Sequence, residues 1–352
     1  MTDRYRLLAL AAAGLALVLV GNAPLFAPAR AQPSGGPSES LPVVEPTDPV
    51  PHLAIVYDAG GRGEAGSFSE LAYQGAKRAA DHFSAVLTEV TSAPGDTEAD
   101  REARLEQLAQ SGHAPIFVLG SAYADAVAKV APKHASTWFG VLGDASVNAP
   151  NVIGVLFHDE QGSYLVGAAA GLKSKSGRVG VIAGARDATS APLVAGFAAG
   201  ARAARPKAKV QVAYLAAPAD PAKARTAALA MFDAGVDVVY AADPASASGV
   251  FEAARARKRW AIGTDTDRYA AADPSVRGAI LTSMLRRADV ATFTITMEVA
   301  TGVPKDGTNV FGLERAGVGY ATSGGFIDRF TAKLDALAAQ IAAGEILVPT
   351  KP

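Results

Sequence analysis

The chain has 352 residues, a formal net charge of −1 and no cysteine. The lack of cysteine excludes disulfides, thiolate metal sites and a cysteine nucleophile. The nearly neutral charge balance argues against nucleic-acid binding, which requires a basic stripe. The length allows two domains of ordinary size, each with its own core.

The first 31 residues are typical of a secretory signal peptide. Arg4 and Arg6 precede an apolar run from Leu7 to Val20, and the small-x-small triplet at 29–31 predicts cleavage near Ala31. This run is shorter than the about 20 residues that span a membrane. We therefore expect a secreted, periplasmic protein, whose formal charge falls to −3 once three arginines and one aspartate are removed.

Residues 32–51 are rich in proline and predict an extended, flexible leader. From His52 onward, short runs rich in valine and isoleucine alternate with longer alanine-rich stretches. This alternation predicts βαβ units with parallel strands. Strands are expected at 52–58, 85–91, 115–119, 137–142, 151–157, 178–183, 209–215, 236–241 and 260–264. Helices are expected at 68–84, 97–110, 162–174, 191–204, 221–234, 247–258 and 325–343.

The two halves of this body share a pattern. LAYQGAKRAA at 71–80 leads to PIFVLGSAYADAV, as VAGFAAGARAA at 194–204 leads to DVVYAADPASASGV. Gly75 and Gly120 are 45 residues apart, and Gly200 and Ala242 are 42 apart. We therefore expect two similar α/β lobes and a ligand cleft lined by the loops after the strands, since ligands of open α/β sheets bind outside the carboxyl ends of the strands.

The first strand is followed by a glycine-rich loop that runs from Asp58 to Phe68. It lacks both the Gly-Lys-Ser/Thr end of a nucleotide P-loop and the dinucleotide fingerprint. Its glycines suit positive φ angles, and Ser67 is expected to cap the next helix, although a helix N-terminus there would also favour ligand oxygens. Phe68 is expected to point toward the ligand rather than the core, where base stacking is worth about 1–3 kcal/mol.

Acidic residues follow several later strands. Asp144 follows the fourth strand, Asp243 the eighth, and Asp265 and Asp267 the ninth; Tyr123 lies just after the third. Carboxylates at these positions suit a ligand with vicinal hydroxyls, because a carboxylate can accept from two O–H donors. A helix cap or a solvated loop is the alternative role for Asp144 and Asp243.

Six segments resemble, in order and spacing, the basic membrane protein family of solute-binding proteins, whose characterised members are purine nucleoside receptors of ABC importers. They are GSFSELAYQGAKRA (66–79), SYLVGAAAGLKSKSGRVGVIAG (163–184), APLVAGFAAGARA (191–203), GVFEAARA (249–256), AIGTDTD (261–267) and ILTSMLRRADVA (280–291). The resemblance covers nearly all of residues 52–320.

This resemblance implies a type I periplasmic-binding fold of two Rossmann-like lobes with parallel sheets, joined by a three-crossing hinge. Residues 52–157 and 284–308 would form the N-terminal lobe, and 158–283 and 309–352 the C-terminal lobe. It also implies a monomer without catalytic residues, cofactor or metal, which closes on its ligand near Phe157, Ser283 and Val310 and docks on an ABC permease.

Carried over by position, Phe68 would stack on a base and Asp265 would bind the ribose. Arg286 stands where the family commonly has a lysine, and Ser69 where it has an asparagine that reads the base edge. A serine offers one hydroxyl where an amide offers a donor and an acceptor, so a nucleobase or another polar solute stays possible as the ligand. The candidate ligand-binding residues are Asp58, Ser67, Phe68, Ser69, Tyr123, Asp144, Asp243, Gly263, Asp265, Asp267 and Arg286.

Two other functions are alternatives to solute binding for import. A nucleoside hydrolase would need a metal or a nucleophile, but no two of the five histidines are four residues apart and no serine lies in a nucleophile elbow. A sensor subunit that presents its ligand to a chemoreceptor or a kinase is a second alternative, which the sequence does not separate from an importer.

Overall fold

A computed structural model describes residues 51–63, 66–215 and 220–352. The predicted signal peptide and residues 32–50 of the predicted leader lie outside the described residues. Among those described, no helix is both long and apolar enough to span a bilayer.

The strands of the described residues are numbered in chain order. They are β1 (His52–Tyr57), β2 (Val86–Thr91), β3 (His113–Leu119), β4 (Phe139–Leu142), β5 (Val152–Phe157), β6 (Arg178–Ala183), β7 (Lys209–Tyr214), β8 (Val238–Ala241), β9 (Trp260–Gly263), β10 (Ile280–Arg286), β11 (Gly307–Phe311) and β12 (Val318–Tyr320).

The α-helices are numbered in the same way. They are α1 (Phe68–His82), α2 (Glu98–Gln110), α3 (Ala124–Val130), α4 (Asp159–Lys173), α5 (Ser190–Ala204), α6 (Pro221–Asp233), α7 (Ala247–Arg257), α8 (Arg268–Ala271), α9 (Pro274–Arg277), α10 (Ala288–Ala300) and α11 (Thr331–Ala342).

The chain forms two compact units. Among the described residues, unit 1 contains 51–157 and 288–311, and unit 2 contains 158–287 and 312–352. The chain thus passes from one unit to the other after Phe157, Arg287 and Phe311. From the sequence, the second and third passages are expected after residues 283 and 308, a few residues earlier.

Each unit is built on one six-stranded sheet. The strand order is β11-β5-β4-β3-β1-β2 in unit 1 and β12-β10-β9-β8-β6-β7 in unit 2. All pairs in unit 1 are parallel, and in unit 2 only the edge strand β12 runs antiparallel to its neighbour β10. The predicted architecture of parallel α/β sheets is confirmed.

Both faces of the central strands are buried, as parallel sheets require. In β1, Ala54 and Val56 enter one core cluster of unit 1, whereas Ile55 and Tyr57 enter the other. This alternation follows from the two-residue period of a strand, which sends successive side chains to opposite faces. The nearly continuous apolar sequence of each strand is therefore the result of burial on two sides.

The glycines that mark the internal repeat lie where two helices pack closely. A Cβ on Gly75 of α1 would meet the carbonyl oxygen of Asp289 and the hydroxyl of Thr292 in α10. A Cβ on Gly200 of α5 would meet the carbonyl oxygen of Tyr164 in α4. Each unit thus uses a glycine to bring one helix against the backbone of its neighbour.

Some element boundaries differ from those expected. The last helix begins at Thr331 rather than at residue 325, because Gly324 and Gly325 have φ angles of +85° and +70°, which no helix accommodates. Helix α4 begins at Asp159, three residues before the expected start at 162. The sequence does not predict strands β10 to β12 or helices α3, α8, α9 and α10.

Candidate functional site

All three acidic candidates of unit 2 follow neighbouring parallel strands. Asp243 comes after β8, and Asp265 and Asp267 come after β9, whose last residue is Gly263; Arg286 is the last residue of β10. Strands β8, β9 and β10 are parallel and adjacent. Their carboxyl ends therefore lie at one edge of the sheet, which is where open α/β sheets bind ligands.

Asp265 and Arg286 are joined by a side-chain ion pair and by a backbone bond. Arg286 Nη1 donates to Asp265 Oδ1 at 2.5 Å, and the amide of Arg286 donates to the carbonyl of Asp265 at 2.8 Å. Asp265 has a φ angle of +70°, in the left-handed region. Asp265 Oδ2 accepts no hydrogen bond from any residue that the structure describes.

Arg286 has a second carboxylate partner, Asp159, in the first turn of α4. Arg286 Nε donates to Asp159 Oδ1 at 2.7 Å and Nη2 donates to Oδ2 at 2.5 Å, which makes the pair bidentate. Asp159 was not among the residues predicted from the sequence. It lies two residues after β5, so the rule that identified the other acids at strand ends would have identified it too.

The three charged side chains are mostly buried. The exposed fractions are 19% for Arg286, 16% for Asp159 and 12% for Asp265. Burial by itself lowers the pKa of Arg286, but the carboxylates of Asp265 and Asp159 raise it well above its usual range. Arg286 is therefore a permanent cation between two acids.

A buried hydroxyl network lies near this ion-pair cluster. Tyr240 is fully buried, and its hydroxyl lies 3.3 Å from Ser163 Oγ and 3.1 Å from Thr264 Oγ1. Burial raises the pKa of Tyr240, so the phenol stays neutral. Thr266 is 1% exposed, and its hydroxyl has no hydrogen-bond partner among the residues described.

Gly263 and Asp267 hold the loop after β9 in place. A Cβ on Gly263 would meet the side chain of Arg268 and, at 2.8 Å, Ser283 Oγ. Asp267 Oδ1 accepts from the amides of Tyr269 and Ala270, and thereby caps α8. Its Oδ2 accepts from Ser323 Oγ. Both oxygens of Asp267 are thus occupied within unit 2.

Asp243 and Asp144 also make local hydrogen bonds. Asp243 Oδ1 accepts from the amide of Ala245 at 3.3 Å and Oδ2 accepts from Ser246 Oγ at 2.5 Å. In unit 1, Asp144 Oδ1 accepts from the amide and hydroxyl of Ser146 at 2.7 and 2.5 Å. These turn contacts match the alternative role that the sequence left open for the two residues.

The loop after β1 and the start of α1 are held by similar contacts. Asp58 Oδ1 accepts from the amide of Gly60 at 2.9 Å. Ser67 Oγ accepts from the amide of Glu70 at 3.1 Å and donates to the carbonyl of Arg62 at 3.1 Å, so it caps α1 as expected. Ser69 lies in the first turn of α1 and is half-buried.

Phe68 packs against the core of unit 1. The sequence predicts instead that its ring points toward the ligand and not toward the core. Its ring lies edge to face with Phe157 at 5.9 Å, and Phe157 lies 6.2 Å from Phe311. Phe157 and Phe311 are the last residues of β5 and β11, so the three rings form an aromatic group at the carboxyl ends of these strands. Phe68 is half-buried, which leaves part of its ring exposed.

Tyr123 is placed where a ligand does not reach it, contrary to its prediction as a ligand-binding residue. Its side chain is fully buried in a core cluster of unit 1. Its hydroxyl lies 2.7 Å from Ser92 Oγ and accepts from Arg104 Nη1 at 2.7 Å. The ring fills the core, and its polar end is already paired.

A family model, described as "Bmp: ABC transporter substrate-binding protein PnrA-like", matches residues 53–351. The chain belongs to the Bmp family. Members of this family are solute-binding proteins of ABC transporters, which work outside the cytoplasmic membrane, and not enzymes.

Curated relatives of this Bmp-family chain align with most of its length. It is 30% identical over 316 residues to the CD4+ T-cell-stimulating antigen of Listeria innocua, and this alignment covers 85% of this chain and 88% of that protein. It is 27% identical over 317 residues to the ABC transporter nucleoside-binding protein BmpA of Lactococcus lactis, with 85% and 89% covered.

Solved structures of solute-binding proteins have the same fold as this Bmp-family chain. An ABC transporter solute-binding protein from Conexibacter woesei matches with a TM-score of 0.70 at 24% identity, over 85% of this chain and 99% of that one. A second, from Aeropyrum pernix, matches with a TM-score of 0.66 at 22% identity, over 86% and 94%. The predicted type I periplasmic-binding fold is confirmed.

Proposed function

We propose that this Bmp-family chain captures an uncharged nucleoside in the periplasm and delivers it to an ABC permease. The observation that carries the proposal is the state of Asp265 in unit 2. One carboxylate oxygen is fixed by Arg286, and the other accepts no hydrogen bond from the residues described.

Asp265 Oδ2 is therefore a carboxylate oxygen that is open to a donor from a ligand. A ligand hydroxyl that donates to it would form a charge-assisted hydrogen bond. Two vicinal hydroxyls, as on a ribose, would give charge-assisted bonds to one carboxylate.

Phe68 supplies an aromatic surface for a base. It is half-buried and packs edge to face on Phe157, while part of its surface stays accessible. Stacking of a base on such a ring contributes about 1–3 kcal/mol. The nucleoside-binding protein BmpA of Lactococcus lactis, at 27% identity, supports a nucleoside rather than another ring compound.

In this proposal both units contribute residues to the ligand, which is held in the interlobe cleft that the family resemblance implies. The ligand would close the two units by rotation at the three passages of the chain, and the closed form, as a monomer, would dock on the permease.

The test is a thermal-shift screen of adenosine, guanosine, inosine, cytidine and uridine, followed by calorimetry. The protein is first purified through unfolding and refolding, because a ligand carried from the host would mask binding. We expect at least one nucleoside to bind. Asp265→Asn should weaken that binding by about 100-fold, since a charge-assisted hydrogen bond to the ligand is lost.

The matched control is Asp233→Asn. Asp233 also forms a bidentate pair with an arginine, Arg257, in the same unit, but both side chains are about half exposed on helices α6 and α7. This variant should bind the nucleoside as the wild type does. If none of the five nucleosides binds to refolded wild-type protein, the proposed function is wrong.

A further inference from the structure

The ion-pair cluster of Asp159, Arg286 and Asp265 contains one acid that the ligand proposal does not use. Asp159 engages Arg286 Nε and Nη2, whereas Asp265 engages only Nη1. Of the five N–H donors of a guanidinium, three are therefore occupied, two of them by Asp159. Asp159 thus occupies the Nε–Nη2 edge of Arg286, one of the edges at which a guanidinium binds an anion with two hydrogen bonds.

We propose that Asp159 is a specificity-determining residue, which occupies the anion-binding face of Arg286 and so excludes phosphorylated compounds from the site. This inference rests on the proposed function, because it concerns ligands of the same site. Asp159 acts through Arg286 and is therefore a positioning residue.

The first argument is geometric. The planar fork of an arginine matches carboxylate and phosphate equally well, so an unpaired Arg286 beside Asp265 would be an anion-binding group. Asp159 fills that fork with two bonds of 2.7 and 2.5 Å. A phosphate could take its place only by displacing a mostly buried carboxylate.

The second argument is the charge of the cluster. Two carboxylates and one guanidinium sum to −1, and the neighbouring Asp267 and Arg268 add one charge of each sign, which leaves the sum unchanged. A negative cluster in a partly buried site repels anions, and this is specificity by exclusion of the wrong ligand. Without Asp159 the sum would be zero, and the fork of Arg286 would be open.

The third argument is the position of Asp159. It is the first residue of α4, where an acidic side chain interacts favourably with the free amides and the helix dipole. Its pair with Arg286 joins residues that are 127 positions apart in the sequence. The start of α4 is thereby held against the end of β10 within unit 2.

The experiment compares Asp159→Asn with wild type and with the control Asp233→Asn. The nucleoside that best stabilises the wild type and its 5′-monophosphate are titrated by calorimetry into each protein. We expect the preference for the nucleoside over the monophosphate to fall by about tenfold or more in Asp159→Asn, and to stay unchanged in the control. Asp159→Glu, which restores the charge, should recover most of the preference.

A second readout does not depend on a nucleoside. Sodium sulfate stabilises any folded protein relative to sodium chloride of equal ionic strength, so the readout is the difference between variants. The rise in melting temperature in sulfate should be larger for Asp159→Asn than for wild type or Asp233→Asn. If Asp159→Asn does not fold, Asp159→Ser, a neutral residue that a first helical turn accepts, takes its place.

The outcomes separate the two proposals. Failure of every nucleoside to bind wild type overturns the proposed function, and the sulfate experiment then decides the role of Asp159 by itself. A folded neutral variant that binds its nucleoside with an unchanged preference, or whose melting temperature rises no more in sulfate than that of wild type, overturns the role given to Asp159.

Discussion

At the residue scale, Asp265 has two roles: its backbone adopts a left-handed conformation, and its carboxylate forms an ion pair and is the proposed ligand acceptor. Its φ angle of +70° is the conformation that glycine prefers and that asparagine and aspartate tolerate. Its carboxylate is at the same time an ion-pair partner of Arg286 and the proposed ligand acceptor. A residue in a strained backbone conformation at a strand end is typical of binding sites.

These two roles can be separated by comparing Asp265→Asn with Asp265→Ala. Both variants lose the charge, but only alanine has no side-chain amide to support the left-handed conformation. We expect Asp265→Ala to be less stable than Asp265→Asn by about 1 kcal/mol in urea denaturation. Equal stability of the two would mean that the backbone relaxes out of the left-handed region.

At the scale of elements, the helices pack through glycine. Gly75 joins α1 to α10 in unit 1, and Gly200 joins α5 to α4 in unit 2. The alanine-rich composition of these helices has the same cause, because small side chains let two helices approach closely. The repeat in the sequence is therefore a repeat of helix packing.

We expect Gly75→Ala and Gly200→Ala each to lower the free energy of unfolding by about 1–3 kcal/mol, because the added methyl group meets the backbone of the next helix. This loss would occur although alanine favours a helix over glycine by about 1 kcal/mol. Denaturant titration measures the change. The control is Gly278→Ala, because φ at Gly278 is −64° and no atom lies within 4 Å of the added Cβ. If Gly278→Ala lowered the free energy of unfolding as strongly, close helix packing would not be the cause.

Two of the elements that the sequence does not predict, β10 and α10, follow each other directly. The segment from Ile280 to Ala300 forms β10 and α10 with a single residue, Arg287, between them. Neither glycine nor proline separates the two elements, and α10 has apolar residues around most of its circumference. Local periodicity therefore gives no clear boundary between strand and helix there.

At the scale of the whole molecule, each unit has its own cores on the two faces of its sheet, so each has its own determinants of stability. In unit 1, His113 is buried at the start of β3. Its Nε2 lies 2.9 Å from Thr88 Oγ1 and its Nδ1 lies 3.1 Å from the carbonyl oxygen of Leu108. With Nδ1–H donating to the carbonyl, Nε2 is an acceptor, which is the neutral form of the ring.

Burial lowers the pKa of His113 from 6.5, and the nearby His52 lowers it further, against the opposing effect of the bond to Leu108. Because the pKa of His113 is lower in the folded than in the unfolded state, the neutral ring contributes its full stability above pH 6.5. This contribution is lost as the pH falls from 6.5 toward the folded-state pKa, since the unfolded chain takes up the proton first. We therefore expect acid to destabilise the protein, and His113→Gln to reduce this dependence. Urea denaturation at a series of pH values measures it, and an equal slope in both proteins would contradict the assignment.

The sequence by itself determined the succession of most strands and helices in this protein. Runs of valine and isoleucine that alternate with alanine-rich stretches predicted parallel sheets, because a strand buried on both faces must be apolar throughout. The direction of the strands then identified the edge where Asp243 and Asp265 lie, and the family motif at 280–291 added Arg286. Family motifs at 66–79 and 261–267 added the expected fold.

Only the tertiary structure decided which of these side chains are free to act. Asp159 and Arg286 lie 127 residues apart, and no local pattern pairs them. Tyr123 lies after a strand like the other candidates, yet the packing around α2 and β3 buries it completely. Position along a strand follows from periodicity in the sequence, whereas pairing and exposure depend on contacts between segments that are distant in the chain.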